Sequence, residues 1–353
     1  MGQQAIYDVA IVGAGPAGSA TALVLARSGW RVALLDRAVF PRDKPCAEYL
    51  SPAAEPLLAR LGVLDDLITT PPARLRGFRI YAPNGSVFQG DFAATRGADG
   101  KSLFQTGLAI PRRRLDATLV NAARQAGAEL REGWRLGGLA REKGEYVLRS
   151  APEGDSMRAR LLVAADGIHS TVARRLGLHT TTNMRKIALV AHLRGIADLG
   201  DYGEMHVAGR RYVGLAPLEP AGGEMHPDGR LCNVAMVVDE ARDGRALAGR
   251  AETFLLDALS SFPRLAGRLD VLAVSRSTLT ISRICVRAQR VYDDGLLLVG
   301  DATGYYDPFT GEGIYRALRG AELAAQVADA SLTTGDLGAS ALARYGALHR
   351  HEF

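Results

Sequence analysis

The stretch Gly13-Ala14-Gly15-Pro16-Ala17-Gly18 constrains the fold of this chain more than any other, because of what flanks it. Before it, residues 7–12 (YDVAIV) form an apolar run of strand length. After it, residues 16–28 carry helical periodicity, with Pro16 at the first helical position. Residues 31–35 (RVALL) read as a second buried strand, so the chain opens on a βαβ unit and hence a parallel sheet. Within the turn, the first glycine allows the bend, the second lets backbone approach a pyrophosphate, and the third lets helix and strand pack closely. Asp36 ends the second strand, 18 residues beyond Gly18, where a carboxylate can accept both hydroxyls of a ribose. A lone glycine motif would be only a turn; strand, helix and acidic residue together indicate dinucleotide binding.

Two more strand ends carry glycine. Residues 162–167 (LVAADG) close an apolar run on Asp166, and residues 295–301 (GLLLVGD) close another on Asp301. Each alone reads as a turn. Three such ends converge on one edge of a parallel sheet, where ligands bind. A helix is expected over residues 51–67, with Ser51 as its cap and Pro52 at its first position, and another over 112–127. Between 74 and 107, and again between 185 and 290, alternating segments such as 187–193 and 231–238 indicate an antiparallel sheet. Glycine and proline punctuate residues 221–229, and residues 250–269 read as one amphipathic helix broken near Pro263. The expected fold class is therefore α/β: a Rossmann-like domain of residues 1–73, 108–184 and 291–353, interrupted by a sheet domain of residues 74–107 and 185–290.

Composition removes other classes. The formal charge of +5 over 353 residues comes from scattered arginines, and Arg112-Arg113-Arg114 is too short for a nucleic-acid arm. Cys46, Cys232 and Cys285 are odd in number and far apart, which argues for a reducing compartment and against disulfides or zinc. The chain runs into a strand by Tyr7, leaving no room for a signal peptide, and Ile6 spoils a myristoylation start at Gly2. No apolar run is long enough to span a bilayer, so a cytoplasmic protein is expected; residues 321–330 could rest on a membrane surface but read better as packing. His169, His192 and His206 show no metal-ligand spacing.

In order along nearly the whole chain, the three glycine turns resemble the fingerprints of flavoproteins with the p-hydroxybenzoate hydroxylase fold, the group A flavin monooxygenases and their relatives. Two further stretches narrow the likeness. Residues 40–52 (FPRDKPCAEYLSP) resemble the CGExLSP element of the geranylgeranyl reductase family, and residues 308–314 (PFTGEGI) its PxTGEGI. The resemblance implies FAD as cofactor. It assigns the pyrophosphate to Gly13, Gly15, Ala17 and Gly18, and the adenosine ribose to Asp36 with Arg37 beside it. It lays the main chain of Cys46 and Ala47 along the cofactor, brings Arg112 to the phosphates, frames the adenine near Leu136 and adds Asp166 to the cofactor contacts. Asp301 would meet ribityl and pyrophosphate oxygens, and Gly311, Gly313 and Ile314 would present amides to the flavin ring, where reduced flavin carries negative charge.

Cys46 and Glu312 are the candidates for a chemical role, each with a plainer alternative that we favour: a compact side chain for Cys46, a helix cap for Glu312. Tyr305 and Tyr306 could line the cavity or simply pack. Residues 212–217 (YVGLAP) stand where prenyl reductases of the family carry YxWxFP, without its tryptophan and phenylalanine. The halogenase signature WxWxIP is absent, which argues against halogenation. Past Phe353, inside a predicted helix, relatives commonly continue. No second nicotinamide-type motif exists, so electrons would come from NAD(P)H docking transiently or from a ferredoxin or reductase partner. The reading is an FAD-dependent oxidoreductase that reduces a C=C bond of a hydrophobic small molecule, isoprenoid or polyketide-like. Its rivals are a monooxygenase on an aromatic or polyketide-like substrate and a flavin carrier without turnover.

Overall fold

The computed structural model describes residues 6–96, 102–152, 154–222 and 226–353. Gly2 and the middle of the 221–229 turn lie outside them. Two sheets dominate. The first is built on the strand Tyr7–Val12, which pairs in parallel with Val32–Leu35 on one side and Ser156–Ala164 on the other. Leu296–Leu298 adds in parallel to the far end of Ser156–Ala164, about 130 residues later in the chain. These central strands are buried on both faces, as their unbroken apolar sequences require. One face is covered by the helices Pro16–Arg27, Arg112–Gln125 and Gly313–Thr334, which share a core containing Leu23, Leu119 and Leu323.

The second sheet has seven strands, in the spatial order Leu269–Ser282, Lys186–Ile196, Cys232–Asp239, Arg211–Pro217, Tyr202–Ala208, Gly77–Tyr81, Val87–Asp91. One face packs on short helices through Leu189, Val213, Val234, Met236, Leu255 and Phe262. The alternate residues of the same strands point the other way, towards the first sheet. Of the described residues in the segment 74–107, only Gly77–Tyr81 and Val87–Asp91 join the seven strands; Gly107–Ala109 pairs instead with Tyr49–Leu50 on one side and Ala73–Leu75 on the other.

Two expectations need correction. Residues 51–67 are not one helix: Ser51, Pro52 and Ala53 form a turn in which the Ser51 carbonyl accepts from the Ala54 amide at 2.9 Å. The helix is Ala54–Arg60, with no side-chain cap, and Gly62 at φ +68° breaks the chain before Leu64–Ile68. Residues 250–269 do break just before Pro263, into Ala251–Leu259 and Pro263–Ala266, but the helical segment does not reach Leu269, which opens a 14-residue edge strand. That strand carries polar residues on both faces, so its alternation is hard to see in sequence.

Candidate functional site

The three glycine turns meet. Gly13 adopts φ +100° against the second turn, and a Cβ there would stand 2.4 Å from the Ala165 carbonyl oxygen. Gly300 lies against Ala17. Asp36 ties the first turn to the second strand: its two oxygens accept from the Ala14 and Ala38 amides, each at 2.8 Å. Leu136 packs in one cluster with Val12, Leu35 and Ala164, while Arg37 is exposed at the strand end. One oxygen of Asp166 accepts from the Thr171 and Val172 amides at 2.6 and 3.2 Å; the other is buried and accepts no hydrogen bond among the described residues.

Cations surround the glycine loop. A Cβ on Gly15 would meet guanidinium nitrogens of Arg42 and Arg112 at 3.7 and 3.9 Å. Both arginines also pair with buried Asp116, Arg112 through two bonds of 2.7 and 2.8 Å and Arg42 at 3.0 Å. Lys44 stands with them, its pKa lowered by burial and by the charges of Arg42 and Arg112. Such a cluster suits a pyrophosphate. Arg42 and Lys44 were missed in sequence, although they sit in the same PRDK segment as the quoted element.

Asp301 faces Lys44, Arg112 and Arg316, yet no hydrogen bond reaches its carboxyl group among the described residues, and burial raises its pKa. A carboxyl of this kind fits a hydroxylated ligand. At Gly311, φ is +70°, and a Cβ would lie 2.7 Å from the Tyr49 ring; only glycine fits both demands. The helix Gly313–Thr334 then starts with Glu312 at the cap position, exposed and making no side-chain bond to the helix. This corrects the capping role expected of Glu312: the positive end of a 22-residue helix is left for a ligand. Half-buried Tyr305 reaches over Gly313, with its ring 3.7 Å from where a Cβ would be; Tyr306 is exposed. The residues present therefore fit FAD: cations and bare glycine for the pyrophosphate, an unpaired carboxyl for hydroxyls, and an uncapped helix start for the ring.

The seven-stranded sheet faces this helix start. Across its neighbouring strands the facing rows are His192, Asn233 and Ala216; then Val190, Ala235 and Gly214; then Ala188, Val237 and Tyr212. The outer rows stand about 13 Å apart at ~3.3 Å per residue, and small residues dominate the floor between them. Each end is tied by a carboxylate to a segment outside this sheet, Glu48 just before the strand Tyr49–Leu50 and Asp307 at the turn Pro308–Thr310. At one end Glu48, wholly buried, takes His192 Nε2 at 2.6 Å, Asn233 Nδ2 at 3.0 Å, Arg276 at 3.1 Å and the Arg112 amide at 3.0 Å. Burial alone would raise the Glu48 pKa, but the bond and charge of His192, the Arg112 amide and Arg276 together hold it below the ordinary value. The Glu48 amide in turn donates to Cys46 Sγ at 3.3 Å, and Asn233 donates to the Cys46 carbonyl at 3.0 Å. Cys46 is thus positioned by its neighbours, and burial raises the pKa of its thiol despite Arg112.

At the other end Asp307 binds the Lys186 ammonium and the Tyr212 hydroxyl. Both clusters were invisible in sequence because the carboxylates lie from 64 to 228 residues from these partners. Among the described residues no group of His, Cys, Asp and Glu could hold a metal ion, and no helix is long and apolar enough to cross a membrane.

Comparisons with known proteins give the family and the fold. Residues 6–350 match the family described as FAD binding domain. The chain is 31% identical over 368 residues to Conditioned medium factor receptor 1 of Dictyostelium discoideum, covering 97% of this chain and 67% of that protein. It is 31% identical over 360 residues to Digeranylgeranylglycerophospholipid reductase 2 of Methanopyrus kandleri, covering 98% of this chain and 83% of that one. In fold it is similar to the flavin-dependent halogenase CmlS, with TM-score 0.85 and 22% identity; the alignment covers 98% of this chain but 62% of CmlS.

Proposed function

The chain belongs to the FAD-binding-domain flavoproteins and, within them, to the geranylgeranyl reductase family, and on that premise we propose that it reduces a C=C bond of a hydrophobic small molecule, isoprenoid or polyketide-like. It is an FAD-dependent oxidoreductase. The observation that carries the finer reading is the uncapped helix start at Gly313 opposite a sheet face floored by Ala188, Ala235 and Gly214. Bound and reduced, FAD would supply a hydride there.

The protein's own part is positioning and exclusion of water. Gly13, Gly15, Ala17 and Gly18 would admit the pyrophosphate, and Arg42, Lys44 and Arg112 would offset its charge. Asp36, with Arg37 beside it, would hold the adenosine ribose, and Leu136 would frame the adenine. Asp166 and the main chain of Cys46 and Ala47 would complete the cofactor's bed. Asp301 would accept ribityl hydroxyls. Amides of Gly311, Gly313 and Ile314 would stabilise negative charge on the reduced ring without a fixed cation. The sheet's small, apolar floor would hold the substrate flat and dry.

The division into a cofactor domain (residues 1–73, 108–184 and 291–353) and a substrate domain (74–107 and 185–290) belongs to the same proposal. So do transient NAD(P)H or a ferredoxin-type partner as electron source, and a cytoplasmic location with access to a lipid surface. A second reading, oxygenation, draws on Gly214 and Ala216, which stand where the family's prenyl reductases carry two aromatic rings. Rapid mixing of the anaerobically reduced protein with oxygen separates the two. Direct reoxidation supports reduction; a transient absorbance intermediate before reoxidation supports oxygenation.

A further inference from the structure

We infer that Lys186, Asp307 and Tyr212 form a proton relay that completes the reduction of a C=C bond conjugated to a carbonyl group, an inference that deepens the proposed reductase reading and rests on it. The three side chains come from separate elements. Lys186 opens the strand Lys186–Ile196, Tyr212 lies in Arg211–Pro217, and Asp307 caps the turn Pro308–Thr310 just before Gly311. One Asp307 oxygen accepts the Tyr212 hydroxyl and, at 3.0 Å, the Phe309 amide; the other accepts the Lys186 ammonium. The Lys186 nitrogen also stands 5.7 Å from the centre of the Tyr212 ring, and Phe309 packs edge-on against that ring at 5.3 Å.

The cluster has a direction. The Lys186 side chain keeps 29% of its surface open to water and Asp307 18%, whereas Tyr212 packs against the apolar group of Ile168, Val237, Ile284 and Val286. In the same group it is near Tyr305, which makes no side-chain hydrogen bond among the described residues, and Cys285, whose thiol donates to the Tyr306 carbonyl at 2.9 Å. Tyr212 therefore lies between a solvated ammonium and the small-residue floor beside Gly214.

The kind of acid determines the kind of substrate. Burial, then the bond to Asp307, raises the Tyr212 pKa, and burial raises those of Tyr305, Cys46 and Cys285 as well. These are weak acids. A phenol can protonate the electron-rich α-carbon that hydride addition leaves beside a carbonyl, but not an isolated alkene. In the step, two electrons and a hydrogen arrive at the β-carbon as hydride, and the π pair moves to the α-carbon and carbonyl. The Tyr212 O–H bond breaks and an α-C–H bond forms. The phenolate regains its proton through Asp307 from Lys186, which takes one from water.

The test uses the FAD-loaded protein, reduced anaerobically with dithionite and mixed in D₂O with 2-cyclohexen-1-one, trans-cinnamaldehyde or detergent-dispersed geranylgeraniol. Reoxidation is expected with the two conjugated probes and not with the isolated alkene, with deuterium at the product's α-carbon. Tyr212→Phe is expected to slow it about 100-fold or more. Lys186→Met and Asp307→Asn should lower the steady-state rate by more than the first turnover, because the phenol's own proton serves once. A readout without turnover is the affinity of the oxidised protein for 1,3-cyclohexanedione enolate, expected to weaken about 10-fold or more in Tyr212→Phe, the loss of one hydrogen bond to a charged group. If Tyr212→Phe is reoxidised by the conjugated probes within threefold of the wild type, the relay is overturned and the reductase reading stands. Equal reoxidation by geranylgeraniol overturns the conjugated substrate class. If no probe reoxidises the flavin, the reductase reading fails and takes the relay with it.

Discussion

Two carboxylates, one beside the strand Tyr49–Leu50 and one at the turn Pro308–Thr310, reach to the antiparallel sheet, and they do so in opposite ways. Glu48 is sealed from water, strained at φ +57°, and met by four donors. Asp307 sits at a rim, partly solvated, with a partly exposed lysine and a phenol as its partners from the sheet. A fully enclosed, fully bonded carboxylate fixes geometry, because removing it strands several buried groups at once. One left in touch with water through a lysine can exchange protons. The same joint between sheets thus has a structural end and an end suited to chemistry.

The largest effect that would break this contrast is on stability at the sealed end. Glu48→Ala leaves His192, Asn233, Arg276 and the Arg112 amide without their acceptor, and a loss of about 3–5 kcal/mol is expected in denaturant unfolding. A loss under about 1 kcal/mol would mean that water reaches the cluster. Glu48→Gln, which keeps the shape, should cost less.

Next comes Gly311→Ala, in the turn between the two ends. The left-handed backbone alone costs about 1–2 kcal/mol, and the methyl group must also displace the Tyr49 ring. Weaker FAD affinity by about tenfold or more is expected in a fluorescence titration; unchanged affinity would remove the ring from this turn.

The acid limb of stability sharpens the comparison. The Glu48 pKa is depressed from its ordinary 4.5 in the fold, so its contribution is complete above that value and disappears as pH falls below it through the folded value. The gap in Tm between wild type and Glu48→Gln should therefore be at its full width above about pH 5.5 and close as pH falls below about 4.5. A gap independent of pH would show that the carboxylate's charge is not what the cluster stabilises. The smallest effect is on the open side: Asp307→Asn keeps an acceptor for the Phe309 amide and should cost about 1 kcal/mol or less in denaturant unfolding. A loss as large as that of Glu48→Ala would erase the distinction.

The sequence disclosed the cofactor side far better than the sheet side, for a physical reason. The turn at Gly13 is set by steric rules acting within a few residues, so its strand, helix and Asp36 could be read directly. Asp166 and Asp301 were legible for the same reason, as strand ends. Glu48 and His192 are 144 residues apart and Lys186 and Asp307 are 121, and no local rule links them. Where local signals did mislead, a competing one had been undervalued: Gly62 stops a helix that Ser51 and Pro52 seemed to start, and Leu269–Ser282 hides its strand behind edge-type polarity. Glu312 had the right residue type for a cap and does not act as one.

The helix Pro16–Arg27 shares its core with Gly313–Thr334, and Ser156–Ala164 receives Leu296–Leu298 as its neighbour. On a ribosome adding about 5–20 residues per second, the first helix emerges some 15–60 s before the surface that covers it. Through that interval the part of the first helix that Gly313–Thr334 covers stays open, although Leu34 and Leu119 are already present beside Leu23, and the glycine loop has no opposing Asp301. On the proposed placement, FAD would not nucleate the fold early in synthesis: the three glycine turns meet only after Asp301 has emerged, and binding would come as the closing event.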